Sequence, residues 1–173
     1  MSLPHALLTS LLERPASGYD LARRFDSSIG FFWPASHQQI YRELGRMEQA
    51  GWVRSDEAAD NARRKVYTCL ADGREELLRW VAEGGERPIV RDSLLVRLRA
   101  DAALGPLHLT EQLRDRLADH ESRLAAYKVI AERDFDKDGD RQQRIQRAIL
   151  GAGIAFEESS VQWCRDVLAE LES

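Results

Sequence analysis

The densest run of potential ligand residues is Asp134-Phe135-Asp136-Lys137-Asp138-Gly139-Asp140. It puts acids at positions one, three and five of a calcium loop and glycine at six. The twelfth position, which needs a bidentate carboxylate, is Ile145, and Arg141 and Arg144 bring positive charge into the same stretch. The run therefore reads as a solvated turn between helices. His5, His37, His108 and His120 show no metal-ligand spacing, and Cys69 and Cys164 lack a neighbouring base that would activate a thiolate. The two thiols are expected reduced and partly buried. Gly151-Ala152-Gly153 lacks the preceding strand of a dinucleotide loop and lies in a helical pattern, where small residues permit close helix crossing. No metal, no cofactor and no enzyme activity are expected.

A different chemistry is written from Ser36 to Gly51. Ser36-His37-Gln38-Gln39 has the form of a capping box, so a helix should start here and run to Ala50, with Gly51 at its C-terminal end. Helical spacing sends Ile40, Leu44 and Met47 inward and leaves Gln38, Arg42, Gly45 and Gln49 outward, flanked by His37 and Tyr41. Glutamine can pair with adenine edges, and arginine reaches guanine or phosphate. A second basic group, Arg63-Arg64-Lys65, is the densest positive run in the first half of the chain.

Those residues need a frame, and the pattern supplies one. A first helix spans Ser2 to Glu13 with Leu3, Leu7, Leu8, Leu11 and Leu12 on one face. Ser17 is placed to cap a second helix, with Asp20 at its third position and Gly30 closing it. Phe31, Phe32 and Trp33, ahead of Pro34, read as apolar plugs of the centre. Two strands, 52–55 and 65–70, flank a polar stretch, 56–64, that reads as a long hairpin loop. A fourth helix covers Ala71 to Glu83, with Leu77, Leu78 and Val81 inward and Trp80 alongside.

Gly84-Gly85-Glu86-Arg87-Pro88 marks a boundary. Beyond it come a helix from Asp92 to Leu104, one capped by Thr110 and running to about Arg133, and a last one from Asp140 to Leu171. The last carries Ile145, Ile149, Ala152, Phe156, Ser160, Trp163, Val167 and Leu171 at steps of three and four. Little of its own chain is left to cover that stripe, so a partner copy is expected. The fold class is mainly α: a winged helix-turn-helix over residues 1–84 with a small β-hairpin wing, then an all-helical dimerisation domain over 85–173.

The chain has 173 residues, 43% apolar and 31% charged, with a net charge of −4. Residues 1–84 carry 11 Lys/Arg against 12 Asp/Glu, so any DNA surface must be a local patch with the acids turned away. No run is long enough to span a bilayer and the N-terminus lacks a secretory pattern, so a cytoplasmic protein with no membrane partner is expected. The deficit of basic charge also leaves open a dimeric helical sensor or adaptor whose winged helix binds protein and not DNA.

The string from Ser17-Gly18-Tyr19-Asp20-Leu21 through Gly30 to Leu44 resembles the PadR family of transcriptional regulators. Met47-Glu48, Gly51-Trp52-Val53 and Lys65-Val66-Tyr67 continue the likeness, and residues from Pro88 onward resemble the helical extension of its longer members. The resemblance implies a homodimer on double-stranded operator DNA, with the third helix in the major groove and the wing on the flanking backbone or minor groove. The contacts it points to are Tyr19, Ser36, Gln38, Tyr41 and Arg42, with Arg63, Arg64 and Lys65 on the wing; His37 joins them from the outward face of the third helix. Arg23 and Arg24 would add phosphate contacts or simply solvate the second helix. Acids at Asp56, Glu57 and Asp60 weigh against deep insertion of the wing. The resemblance further implies repression relieved by a small aromatic effector. Trp80, Tyr127, Phe156 and Trp163 would line its pocket, with ordinary core packing as the competing reading.

Overall fold

In the computed structural model, residues 3–26, 33, 35–58, 61–85, 91–135 and 139–172 are described. The leucine-rich start folds as α1 (Leu3–Glu13), followed by a two-residue strand β1 (Ala16–Ser17), α2 (Gly18–Asp26) and α3 (His37–Gln49). A hairpin of β2 (Val53–Ala58) and β3 (Asn61–Cys69) leads into α4 (Ala71–Glu83). The chain divides into two compact units, 1–87 and 88–173.

In the first unit the apolar stripes meet in one core. Leu7, Leu8 and Leu11 of α1, Leu21, Ala22 and Phe25 of α2, Ile40, Leu44 and Met47 of α3, and Val53 at the foot of the hairpin are each at most 2% exposed. Burying a side chain of this size contributes about 1.5–3 kcal/mol, so the helix contacts are set by these residues and not by backbone propensity. Ser17 caps α2 as its sequence suggests: its Oγ accepts from the Asp20 N–H at 3.1 Å and donates to the Asp20 carboxylate at 2.6 Å. The aromatics Phe31 and Phe32, and Gly30, fall outside the described residues. Trp33, expected as a plug, is exposed.

Two departures from the sequence reading have clear causes. The polar stretch 56–64 is mostly strand: β2 continues through Ala58 and β3 begins at Asn61. A ladder is made by backbone groups, so residues without an apolar face still pair once Val53 and Cys69, opposite each other, anchor the foot. Ala16 and Ser17 add a third strand, unforeseen because two residues carry no periodicity, giving the antiparallel order β1-β3-β2 with Ala16 opposite Tyr67.

Helix α4 keeps its expected span but presents another face. Leu78 and Val81 are exposed, whereas Gly73 is buried, Leu77 packs against the core and Trp80 is half-buried. Gly73 is the reason: a Cβ there would lie 2.3 Å from the Trp52 carbonyl oxygen, so a bare backbone lets the helix dock along 73, 77 and 80. His5 of α1 completes the joint. Its ring stacks on Trp80 at 4.6 Å, and Nε2 lies 3.0 Å from Glu76 Oε1. Hydrogen bonds from Arg79, and then from His5, hold the Glu76 carboxyl down at about 2.

The second unit comprises α5 (Ser93–Leu104), α6 (Thr110–Asp134) and α7 (Arg141–Glu172). Asp92 caps α5 by accepting from the Leu94 N–H. Leu109, one residue before the expected Thr110, occupies the cap position of α6. Asp140 caps α7 through reciprocal bonds with Gln143. Helices α6 and α7 form a long hairpin, Leu94 of α5 joins its Leu113 and Cys164 in an apolar cluster, and exposed ion pairs Lys128–Glu158, Arg165–Glu121 and Arg114–Glu172 run along its edges. Among the described residues no helix is long and apolar enough to cross a membrane.

Gly73→Ala should lower the stability of the first unit by about 1–3 kcal/mol, since a backbone oxygen cannot step aside as a side chain can. Thermal unfolding followed by circular dichroism measures this, and an unchanged melting temperature would show that α4 docks without the close approach.

Candidate nucleic-acid interface

The N-terminus of α3 is closed by the capping box read from the sequence. Ser36 Oγ accepts from the Gln39 N–H at 3.3 Å, and Gln39 Oε1 accepts from the Ser36 N–H at 2.8 Å. With Ile40, Leu44 and Met47 buried, the helix has one orientation, and Ser36, His37, Gln38, Tyr41 and Arg42 all stand exposed on the outer side. The Ser36 oxygen is occupied as an acceptor, which leaves its hydroxyl proton to donate outward. Glu43, close to this face, is answered by Arg46 at 3.3 Å. The face offers amides, a phenol, an imidazole and a guanidinium, the groups that bond base edges and phosphates.

Helix α2 contributes Tyr19, more than half exposed, with the Arg23 guanidinium 5.9 Å from its ring centroid. The two arginines of α2 have separate roles. Arg24 donates to the carbonyl oxygens of Ser10 at 2.8 Å and Arg14 at 2.9 Å, so it closes the C-terminal end of α1. Burial, and then the charge of Arg14, pull its guanidinium below the ordinary value. Of the two, only Arg23 remains a candidate phosphate contact.

On the wing, Arg64 and Lys65 are exposed neighbours on β3 and so point to opposite faces of the hairpin. Arg64 reaches toward Asp20 of α2, with 3.9 Å between the charged atoms. Lys65 lies opposite Glu57 in the ladder, near enough to Glu48 of α3 for its charge to act there. Arg63 lies in β3, but its side chain falls outside the described residues. Asp56 and Glu57, read as loop acids, belong to β2, and Asp56 is paired with Arg54 at 2.9 Å. Asp60 lies outside the described residues.

The four aromatics considered for an effector have distinct surroundings. Trp80 is stacked on His5. Tyr127 is buried, its ring lying where a Cβ on Gly153 would meet it at 3.3 Å, and burial followed by the charge of Glu157 pushes its phenol up. Trp163 packs against the Leu94, Leu113 and Cys164 cluster. Phe156 is 63% exposed and meets His120 edge-on. Ile145 and Ile149 share its helix face and are also exposed, whereas Trp163, Val167 and Leu171, placed on the same uncovered stripe by the sequence, pack against the Leu94, Leu113 and Cys164 cluster of their own chain. Of the calcium-like run, Asp134 pairs with Arg133 and Asp140 caps α7, while residues 136–138 fall outside the described residues.

The profile of the PadR-like family of transcriptional regulators matches residues 7–79, and that of the C-terminal region of virulence activator alpha matches residues 90–172. A Mycobacterium tuberculosis protein named "Probable transcriptional regulator" is 39% identical, over 99% of this chain and 98% of its own length. This chain belongs to the PadR-like family of transcriptional regulators. The solved structure of the Vibrio cholerae virulence activator AphA is 34% identical, covers 99% of this chain and 98% of its own, and superposes with a TM-score of 0.82. Bacillus subtilis PadR, a negative transcriptional regulator, has been solved with operator DNA: 23% identity, 97% of each chain, TM-score 0.82. It has also been solved with p-coumaric acid: 23% identity, the whole of both chains, TM-score 0.76. At that identity the Bacillus likeness is one of fold, and the fold is the winged helix with a helical C-terminal region.

Within this family surface, sequence reasoning missed Gly18. A Cβ at that position would lie 2.4 Å from Tyr41 Cε1, so the ring of Tyr41 rests directly on the first turn of α2. The glycine thus fixes how a half-exposed tyrosine stands on the outer face of α3. Gly18→Ala should turn the Tyr41 ring outward, since the clash is with a movable side chain, and should cost under about 1 kcal/mol of stability. NMR shifts of the Tyr41 ring should move while the Ile40 and Leu44 methyls hold. Constant Tyr41 shifts would mean that the helices separate instead.

Proposed function

We propose that two copies of this chain grip double-stranded operator DNA, with each α3 in a major groove and each wing against the flanking backbone. The observation that carries this reading is the single exposed polar face of α3, Ser36, His37, Gln38, Tyr41 and Arg42, opposite its fully buried stripe. Tyr19 and the wing residues Arg63, Arg64 and Lys65 supply phosphate contacts, and Gln38, near the N-terminal end of α3, reads a base edge. The first domain is assigned to DNA and the helical second domain to dimerisation. The relative crystallised on operator DNA supports the first assignment. The uncovered face of α7 at Ile145, Ile149 and Phe156 supports the second.

The regulator works in the cytoplasm as a repressor relieved by a small aromatic molecule, a reading supported by the p-coumaric acid complex of a relative. Of the four aromatics, Phe156 offers the most surface to a ligand or a partner, while Tyr127 and Trp163 already pack within their own chain. No catalytic step is assigned to any residue.

Gln38→Ala should leave fold and dimer intact and cost about 1–3 kcal/mol of specific binding per half-site, with random-duplex binding nearly unchanged. Competition binding on an operator recovered by footprinting decides it. Equal losses on both DNAs would make Gln38 a backbone contact, and failure of the wild type to protect any fragment would favour the protein-binding adaptor. Light scattering should give a dimer at micromolar concentration, and removing residues 140–173 should leave monomers or insoluble chain. A monomeric intact protein would end the two-fold operator argument.

A further inference from the structure

Strand β2 is the outer strand of the wing sheet, so alternate N–H groups along its free edge have no strand partner. One of them is met from α3. Glu48 Oε1 accepts from the Ser55 N–H at 3.0 Å and from the Ser55 hydroxyl at 2.6 Å. The hydrogen bonds donated by Ser55, that of its hydroxyl foremost, hold the Glu48 carboxyl below its ordinary value, with a smaller pull from Lys65. Ser55 lies opposite Tyr67, and Tyr67 lies opposite Ala16 of β1. The foot of the wing is therefore held at both edges of one row, by the backbone of β1 on one side and by the Glu48 carboxylate on the other.

The position of this contact matters because the hairpin beyond it stands on little else. Among the described residues of β2 only Val53 is in the core, with Tyr67 and Cys69 of β3 packed against it, and past Ser55 the strand carries Asp56, Glu57 and Ala58, none of them an apolar anchor of the size of Val53. A hairpin anchored only at its foot can swing there, and a swing at the foot is multiplied at the basic residues further out. Glu48 comes from the same helix that presents Gln38 and Arg42, one side of it bonded to the wing and the other to its own turn.

We infer that Glu48 is a positioning residue for DNA binding: by clamping Ser55 it locks the angle between the wing and α3, so that wing cations and helix side chains reach one duplex together. The inference rests on the DNA-binding reading above. Its signature is a sign reversal. Removing an acid from beside a DNA-binding surface should tighten binding if only charge matters, because phosphate repulsion falls. Removing this acid should weaken it.

Wild type, Glu48→Ala, Glu48→Gln, Lys65→Ala and the Glu48→Ala/Lys65→Ala double variant would be titrated at several salt concentrations on a labelled random-sequence duplex and on the recovered operator. Lys65→Ala should lose about tenfold in affinity at about 0.1 M salt and flatten the log–log salt slope by about one unit per half of the dimer. Glu48→Ala should show the same loss, and the double variant no more than either single one. Glu48→Gln keeps the accepting oxygen without the charge, so it should match or exceed the wild type. Amide exchange at Ser55, read without DNA, should be slow in the wild type and the Gln variant and fast in the Ala variant. The inference is overturned if Glu48→Ala tightens binding, if its slope is unchanged, or if the Ser55 amide stays protected. Ile40→Ala, destabilised through a core cavity, controls for general loosening: it should lose melting temperature but keep the slope. A wild type that binds neither DNA while its Ser55 amide behaves as expected would sink the DNA reading and with it the role of the clamp in it, leaving only the clamp itself.

Discussion

The burial of Ile40, Leu44 and Met47 against α1 and α2 is the constraint on which the rest of the first unit depends. All three are inaccessible to solvent, or nearly so, and they sit on one side of a helix whose other side carries Gln38, Tyr41 and Arg42. Rotating α3 by a single residue, about 100°, would bring polar groups into the core at several kcal/mol each. The outer face therefore has no freedom of its own: whatever Gln38, Tyr41 and Arg42 meet is chosen by where the leucines of α1 lie. Val53 ties the wing to the same core, and Glu48 to the same helix.

The electrostatics follow a related logic. A protein of net charge −4 approaches a polyanion only if its acids are spoken for. Around the proposed interface several are: Glu43 pairs with Arg46, Asp56 with Arg54, Asp20 with Ser17 and Arg64, and Glu48 with Ser55. Most of these are exposed pairs of small individual worth. Their effect is on the local field, since each carboxylate is turned to a neighbour on its own chain. Under the proposed DNA-binding reading, Arg64 would exchange the Asp20 carboxylate for phosphate.

The second unit solves a different problem. Helix α7 buries one side, Leu150, Glu157, Val161 and Cys164, against α6, and leaves another, Ile145, Ile149 and Phe156, uncovered. Glu157 is almost wholly buried, bonded to His120 and 3.7 Å from Arg123. A polar pair inside an apolar hairpin adds little net stability, but it penalises any shift that would strand the carboxylate. It thereby fixes the register of α6 on α7, and with it the direction in which the uncovered stripe faces.

The sequence by itself determined the helices, the Ser17 and Ser36 caps and the inward stripe of α3, because a period of 3.6 and a capping box are local properties that need no knowledge of neighbours. The motif from Ser17 to Leu44 carried the family and most of the candidate contacts for the same reason. Only the tertiary structure decided which arginine of α2 is occupied by carbonyls, that Gly18 and Gly73 are places of close approach, that α4 faces the core along Trp80 and not Leu78, and that Glu48 holds the wing. Each of these depends on an atom from a distant part of the chain: the Ser10 carbonyl, the Tyr41 ring, the Trp52 oxygen, the Ser55 amide. The polar wing strands belong to the same class, since a ladder is paired through backbone groups that every residue has and no side-chain pattern reveals.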